Sequence, residues 1–289
     1  MAMQLREYFE RGQKEGWSLG AFNIDSLDIF KAVLMGAKNK KSPVIVEFSK
    51  GEIGYFGMKN VVDMVINGRE DYQIPIFLNL DHGKKEEVMD AIDHPGFNMV
   101  HFDGSEHEYN ENIEIAKKIV DTGHAKGLLV EGEIDNVAGQ SVVHGEDLDI
   151  QAVKNTFTDP KKALEFVQKT RVDIFAPIFG NVHGTFPNQP DLDIALLSNI
   201  RQTMPNTFFS LHGSSGIPAE QVKEAIKVGK IVKVNINTEL RQAYRDAMVE
   251  ELGEEPAQYK VYEYSEDVVR AVAAVVENKI DVFGSADKI

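Results

Sequence analysis

Three histidines stand in matching settings: His82 in Asn79-Leu-Asp-His-Gly, His183 in Gly180-Asn-Val-His-Gly, and His212 in Ser210-Leu-His-Gly-Ser-Ser-Gly. Each is followed by glycine, which lets backbone or a ligand approach closely. Three imidazoles converging on one point could give Zn2+ three nitrogen ligands and leave a fourth position for substrate, the pattern of a catalytic zinc site. For any one of them, a hydrogen-bonded residue at a strand end is the alternative. His94, His107, His124 and His144 fall in helical or loop stretches and are expected at the surface. His101 alternates with Asp103 and could line an interior or pack outside.

Carboxylates cluster near these histidines. Asp81 precedes His82, so the two side chains are expected to leave a strand on different sides. An acid beside a divalent cation suits proton transfer to a bound substrate; the alternative is an N-cap for a helix beginning near Lys84. Glu131 and Glu133 share one strand face by the period of two. With Asp103 they need a cation or a Lys/Arg partner if buried, either a second metal position or an internal salt bridge. Lys50 is the one lysine placed to form a Schiff base, and a solvated turn residue is the favoured reading of it. An anion site is also legible. The run from His212 to Pro218 is rich in glycine and serine and precedes a helix with Pro218 at the favoured first position, so free backbone N–H groups would face an anion. Asn235 and Thr238 add an amide and a hydroxyl nearby.

These residues sit at the ends of short apolar, β-branched runs: 19–24, 43–49, 74–81, 99–105, 128–135, 173–180, 207–213 and 233–239. Between them lie helical stretches, among them 27–38, 84–92, 110–126, 161–169, 194–202 and 219–228. In 110–126, Ile113, Ala116, Ile119 and Val120 keep helical spacing, and Gly127 marks the stop. Strand–helix alternation implies parallel strands. Eight units predict a (β/α)8 TIM barrel of the α/β class, with its chemistry at the C-terminal strand ends. An open dinucleotide-binding sheet would need a G-x-G-x-x-G after a strand, and none is present. The segment 136–149, with Gly139 and Gly145 and little periodicity, is expected to be a long active-site loop on one domain spanning 1–289.

Composition bounds the partners. The 289 residues contain no cysteine, which excludes thiolate sites and disulfides, and carry a net charge of −15. Such a balance disfavours nucleic acid and anionic membranes as partners. The first residues read as a helix and not as a signal peptide; with no apolar run long enough to span a bilayer, a cytoplasmic protein is expected.

Taken in order, Asn79-Leu-Asp81-His82-Gly83, Val130-Glu-Gly-Glu133, Gly180-Asn-Val-His183-Gly184, Leu211-His212-Gly213-Ser-Ser215-Gly216 and Val234-Asn235-Ile-Asn237-Thr238 resemble the class II, metal-dependent fructose- and tagatose-bisphosphate aldolases. Gly20-Ala-Phe-Asn23, Val46-Glu-Phe-Ser49 and the tail 278–286 are similar too. The resemblance covers nearly the whole chain. It implies a zinc-dependent barrel, a homodimer or larger, that reversibly cleaves a phosphorylated ketose, fructose 1,6-bisphosphate first among them, to dihydroxyacetone phosphate and an aldehyde such as glyceraldehyde 3-phosphate, as in glycolysis. By that resemblance His82, His183 and His212 are zinc ligands, Asp81 is the acid, and Asp103 and Glu133 serve an inner metal position. Gly184, Gly213 and Ser215 contact the ketose phosphate and a monovalent cation (K+ or Na+). Asn23, Ser49, Asn235, Asn237 and Thr238 are further substrate contacts. Three positions depart from the family pattern. Ser141 stands where an acidic base is expected, so Glu146, with Asp147 behind it, is the candidate base. The family's Asp-Pro-Arg is missing, with Glu266, Asp267 and Arg270 in that region instead. Asn237 replaces an aspartate. The alternatives are an aldolase for another phosphorylated ketose, such as tagatose 1,6-bisphosphate, or a catalytically altered metal-binding barrel.

Overall fold

The computed structural model describes residues 4–254 and 256–289. Its elements, in order, are α1 (Leu5–Glu15), β1 (Leu19–Asn23), α2 (Leu27–Asn39), β2 (Val44–Ser49), α3 (Lys50–Phe56), α4 (Met58–Tyr72), β3 (Ile76–Gly83), α5 (Lys85–Asp93), β4 (Met99–Asp103), α6 (Tyr109–Ala125) and β5 (Leu129–Glu133). Then come β6 (Gly139–Val143), α7 (Ile150–Lys154), α8 (Pro160–Thr170), β7 (Ile174–Phe175), β8 (His183–Thr185), α9 (Ile194–Thr203), β9 (Phe208–Leu211), α10 (Ala219–Gly229), β10 (Ile231–Ile236), α11 (Thr238–Glu254) and α12 (Val261–Phe283). Eight parallel strands close a barrel in the order β1-β10-β9-β7-β5-β4-β3-β2. This is the expected TIM barrel.

The barrel interior changes character along its axis. At the N-terminal end the strands contribute apolar residues, Leu19 and Ala21 from β1 and one from each of the others: Ile45, Phe77, Met99, Leu129, Ile174, Phe208 and Val232. Helix α1 closes this end with Leu5, Tyr8 and Phe9, which belong to the same cluster. One layer up the interior turns polar. Glu47, Asn79, His101, Glu131, Ser210 and Lys233 are all fully buried there. They come from neighbouring strands in register, Glu47 beside Asn79, His101 beside Glu131 and Lys233 beside Ser210. The outward residues of the same strands, such as Val46, Leu78, Val100, Val130 and Val234, pack in the large cluster that includes the helices.

The polar layer is balanced by one lysine. Lys233 Nζ lies 2.9 Å from Glu131 Oε2 and 3.3 Å from Glu47 Oε2. Burial opposes its charge, but Glu131 and Glu47 outweigh that and raise its pKa. Burial also pushes Glu47 up to about 7, helped by the Asp81 charge and opposed by Lys233. Glu131 thus takes the internal salt bridge. Neither Lys233 nor Glu47 was singled out by sequence pattern, because each sits in a run that otherwise reads as apolar strand.

Several boundaries differ from expectation. The sixth run forms a strand only over Ile174–Phe175. Beyond it the chain is buried irregular backbone, in which Phe179 N–H donates to Asn181 Oδ1 (2.9 Å) and Asn181 Nδ2 donates to the His212 carbonyl (3.1 Å). The eighth strand, expected over 233–239, starts two residues earlier and ends three earlier, and Thr238 opens α11. Pro218 is the N-cap of α10 and not its first residue. Segment 136–149 is not wholly a loop. Its centre is β6, which pairs in parallel with β8 as a small side sheet.

Lys233→Met should destabilise the fold by about 3–5 kcal/mol, because two buried carboxylates lose their counter-charge. Lys50→Ala should cost under about 1 kcal/mol, since Lys50 is 74% exposed and pairs with Glu87 only at the surface. Thermal and urea denaturation of the two variants checks the contrast.

Candidate active site

At the C-terminal end of the barrel lies a cavity of about 320 Å³. Its wall includes Asn23, Ser49, Asp81, His82, Asp103, His183, Gly184, His212, Gly213, Ser215, Asn235, Asn237 and Thr238. Glu133 stands just behind this wall, 1% exposed. Glu146 and Asp147 are exposed and do not line the cavity. In their place the wall carries Ser141, whose carbonyl accepts from Arg241 Nη1 at 3.3 Å.

A bulge creates the central pair. Leu80 opposes Val100 and Gly83 opposes Phe102, so Asp81 and His82 together face the single residue His101. His82 takes φ 47°, a left-handed conformation uncommon for a residue with a side chain. Such a bulge re-aims a side chain. Asp81 keeps the interior position that alternation gives it, and His82 swings into the same cavity. The two were expected on different sides; the bulge overrides that alternation. Asp81 caps no helix either. Its Oδ2 accepts from Asn23 Nδ2 (3.1 Å) and its Oδ1 from Asn235 Nδ2 (3.2 Å), while the N-cap of α5 is Lys84.

His82 Nε2 and His212 Nδ1 lie 3.1 Å apart. Two nitrogen ligands of one tetrahedral zinc, each at ~2.0–2.1 Å, are separated by ~3.3 Å, so this spacing suits a shared ion. The far nitrogen of each ring meets a buried carboxylate: His82 Nδ1 with Glu133 Oε1 at 3.2 Å, and His212 Nε2 with Glu131 Oε1 at 2.7 Å. This arrangement orients metal-binding histidines and fixes their tautomers. The His183 ring stands edge-on, 5.2 Å from His82 and 6.3 Å from His212 between centroids. It belongs to β8 of the side sheet and not to a barrel strand, which corrects its expected position at the end of the sixth barrel strand. Asp103 Oδ2 is 3.6 Å from His82 Nδ1 and 3.4 Å from Lys84 Nζ. Glu133 Oε2 is buried without a hydrogen-bond partner among the described residues. Converging acids and an orphaned carboxylate oxygen fit a cation here.

Protonation follows burial first. Burial pulls His183 and His212 down to about 3, so both rings are neutral at pH 7 and able to donate a lone pair. Burial acts the same way on His82, but Asp81 and Glu133 outweigh it and raise the ring's pKa well above the ordinary value. Burial likewise opposes the charge of Asp81, and His82, His101, Lys233 and His212 outweigh it and hold the carboxyl well below the usual range.

Glycine is required at two points of the wall. Gly184 has φ 90°, and a Cβ there would lie 2.3 Å from the Gln140 carbonyl. Gly213 has φ 58°, and a Cβ would meet the Val182 carbonyl at 2.3 Å. The turn 213–216 precedes α10 with Ser215 on the cavity wall, and one of its amides, Gly216 N–H, already donates to Glu239 Oε1 at 3.0 Å.

Sequence reasoning missed Arg241 on α11. It forks onto Asp25, reaches Glu52 Oε1 at 3.1 Å and lines the cavity. Glu52, pushed up to about 9 chiefly by burial, also accepts from Asn23 Nδ2 at 3.4 Å. The helical position of Arg241 gave no periodic signal that it faced a site. His124 pairs with Asp173 at 2.8 Å, and His144 stacks on Phe186 and packs beside Gly184.

The sequence pattern of the family described as fructose-bisphosphate aldolase class-II matches residues 3–288. A Geobacillus stearothermophilus protein named fructose-bisphosphate aldolase is 36% identical over 99% of this chain and 98% of its own length. A Shouchella clausii protein named 6-phospho-5-dehydro-2-deoxy-D-gluconate aldolase is also 36% identical, over 96% of this chain and 92% of its own. The crystal structure of the YdjI aldolase from Escherichia coli K12 superposes with a TM-score of 0.84 at 29% identity, covering 100% of this chain and 99% of that one.

His82→Ala should leave the barrel folded but holding well under one divalent ion per chain, against about one in the unaltered protein. Because its carboxylate neighbours raise the His82 pKa in the absence of metal, ion binding should displace a proton, and apparent affinity should rise with pH. Calorimetric titration with Zn2+ in two buffers of different ionisation heat measures that release.

Proposed function

The chain belongs to the class II fructose-bisphosphate aldolase family, and on that premise we propose that it cleaves a ketose 1,6-bisphosphate, fructose 1,6-bisphosphate foremost, to dihydroxyacetone phosphate and glyceraldehyde 3-phosphate. It is an aldolase, a carbon–carbon lyase. The observation that carries the reading is the pair His82 Nε2 and His212 Nδ1, 3.1 Å apart and each backed by a carboxylate. His82, His212 and His183 would hold Zn2+, which supplies Lewis-acid polarisation of a substrate carbonyl.

The protein's own groups do the rest. The turn 213–216 and Gly184 receive the phosphate of the three-carbon half, with a K+ or Na+ ion beside it, and Asn235, Asn237 and Thr238 contact the same half. Asn23 and Ser49 face the aldehyde half. Asp81, held ionised between Asn23 and Asn235, takes the hydroxyl proton as the carbon–carbon bond breaks. In the synthetic direction it returns that proton to the aldehyde oxygen. Glu146 exchanges the proton at the reacting carbon of the three-carbon half. It follows β6 on an exposed turn and has to swing inward to do so. The active unit is a homodimer or larger homo-oligomer working in the cytoplasm, in sugar-phosphate metabolism.

One observation favours a second reading. Among the described residues Arg241 is the one lysine or arginine on the cavity wall, and Asp25 and Glu52 already engage it. A substrate with a single phosphate, like the one in the Shouchella clausii relative's name, meets that shortage of positive charge. Metal-loaded protein offered fructose 1,6-bisphosphate, tagatose 1,6-bisphosphate and 6-phospho-5-dehydro-2-deoxygluconate in parallel, with dihydroxyacetone phosphate followed, decides between them. Turnover of none of the three would leave the barrel a catalytically altered metal binder.

Asp81→Ala should keep its metal and lose ~10²–10⁴-fold in cleavage rate, while still exchanging the proton on dihydroxyacetone phosphate. Glu146→Gln should lose that exchange. Unchanged exchange in Glu146→Gln moves the base to another residue.

A further inference from the structure

Both residues assigned to the aldehyde half, Asn23 and Ser49, converge on Glu52. This glutamate stands in the first turn of α3 and is 7% exposed. Its Oε2 accepts from the Ser49 N–H at 2.5 Å and from Asn23 Nδ2 at 3.4 Å. Its Oε1 accepts from Arg241 Nη2 at 3.1 Å. Ser49, Asn23 and Arg241 all line the cavity, and Glu52 stands behind them.

Helix capping accounts for only part of this. Ser49 and Glu52 form a capping box, in which the glutamate needs one oxygen on the N-cap N–H. Such a box requires neither burial, nor a bond from Asn23 on β1, nor one from Arg241 on α11. Burying a carboxyl is costly unless its hydrogen bonds are made, and here each bond comes from a cavity residue.

The same bonds fix what the cavity is offered. An asparagine amide has two hydrogens. One goes to Asp81 Oδ2 at 3.1 Å and the other to Glu52 Oε2. What Asn23 can offer the cavity is therefore its carbonyl oxygen, an acceptor for a substrate hydroxyl. Among the described residues Glu52 bonds neither the three metal-site histidines nor the turn 213–216.

We propose that Glu52 is the positioning residue for the aldehyde half of the substrate, setting the poses of Asn23 and Ser49 from behind the cavity wall. The proposal rests on the aldolase reading, in which Asn23 and Ser49 face that half. Burial first, and then Asp25, push the Glu52 carboxyl up to about 9, so at pH 7 it is a neutral acid with one oxygen that accepts and a hydroxyl that donates. A glutamine side chain likewise carries an acceptor beside a donor. It can replace Glu52 toward Asn23 and Ser49, but not toward Arg241, which needs an acceptor.

The test follows two reactions of the metal-loaded full chain. One is proton exchange on dihydroxyacetone phosphate alone, which has no aldehyde partner. The other is its condensation with glyceraldehyde 3-phosphate or 3-oxopropanoate, the aldehyde halves of the substrates named above. Glu52→Ala should lose about 100-fold in kcat/KM for the aldehyde, the scale of a small misplacement of reacting groups, with exchange and the KM for dihydroxyacetone phosphate unchanged. Glu52→Gln should stay within about 10-fold of the unaltered protein, since it gives up only the Arg241 bond. Glu52→Met repeats the measurement should alanine unfold the turn, with thermal melts showing which variants fold. Unchanged condensation in Glu52→Ala overturns the proposal. So does equal loss of exchange and condensation, which marks a general structural role, and so does Glu52→Gln as impaired as Glu52→Ala. Absence of both reactions in the unaltered protein overturns the aldolase reading itself, a separate failure that takes this assignment with it.

Discussion

A charge buried inside a closed barrel has to be balanced from within the barrel. Lys233 does this by standing between Glu131 and Glu47, with all three fully buried. Without it, two carboxylates would face an apolar plug on one side and histidines on the other. The balance does more than keep the core stable. Glu131 also accepts from Ser210 Oγ at 2.5 Å and engages His212 Nε2 at 2.7 Å, so the residue that needs the lysine also orients a histidine proposed as a metal ligand. Stability and ligand geometry are one network here, and such networks are worth more than their pairs.

The second constraint is the pleat. A straight β3 would send His82 out toward α5 and leave only Asp81 inside. The bulge opposite His101 makes both available at the cost of a left-handed backbone at His82. His101 supports it directly, since its Nδ1 lies 3.3 Å from the His82 N–H. The barrel therefore presents an acid and an imidazole from adjacent residues, which ordinary strand alternation does not allow.

Much of this was legible in the chain. The three His-Gly motifs, the alternation of strands and helices, and the glycine-rich turn before α10 all locate the site at one end of a barrel, because each follows from local spacing. What escaped was set by tertiary packing. The burial of Lys233 shows only when β10 is seen facing Glu131 and Glu47. The bulge at Asp81 and His82 depends on pairing with β4. The side sheet of β6 and β8 escaped because Gly139–Val143 is short and mostly exposed, with no apolar period to announce it. The same lack of signal hid the true position of His183.

That side sheet bears on how the site is divided. His82, His101 and His212 stand on or beside barrel strands whose neighbours are buried on both faces. His183 is held instead by backbone pairing, its N–H donating to the Ala138 carbonyl at 2.7 Å, and by β6, whose residues are mostly exposed. Segments with few buried contacts are where a structure opens locally at least cost. Arg241 ties the same segment down through the Ser141 carbonyl and is itself moored to Asp25 and Glu52. One wall of the cavity is therefore fixed by the core, and the facing wall, with Gly184 and His183, by a strand pair and one arginine. Opening of β6 from β8 is expected to move His183 while His82, His101 and His212 stay in place.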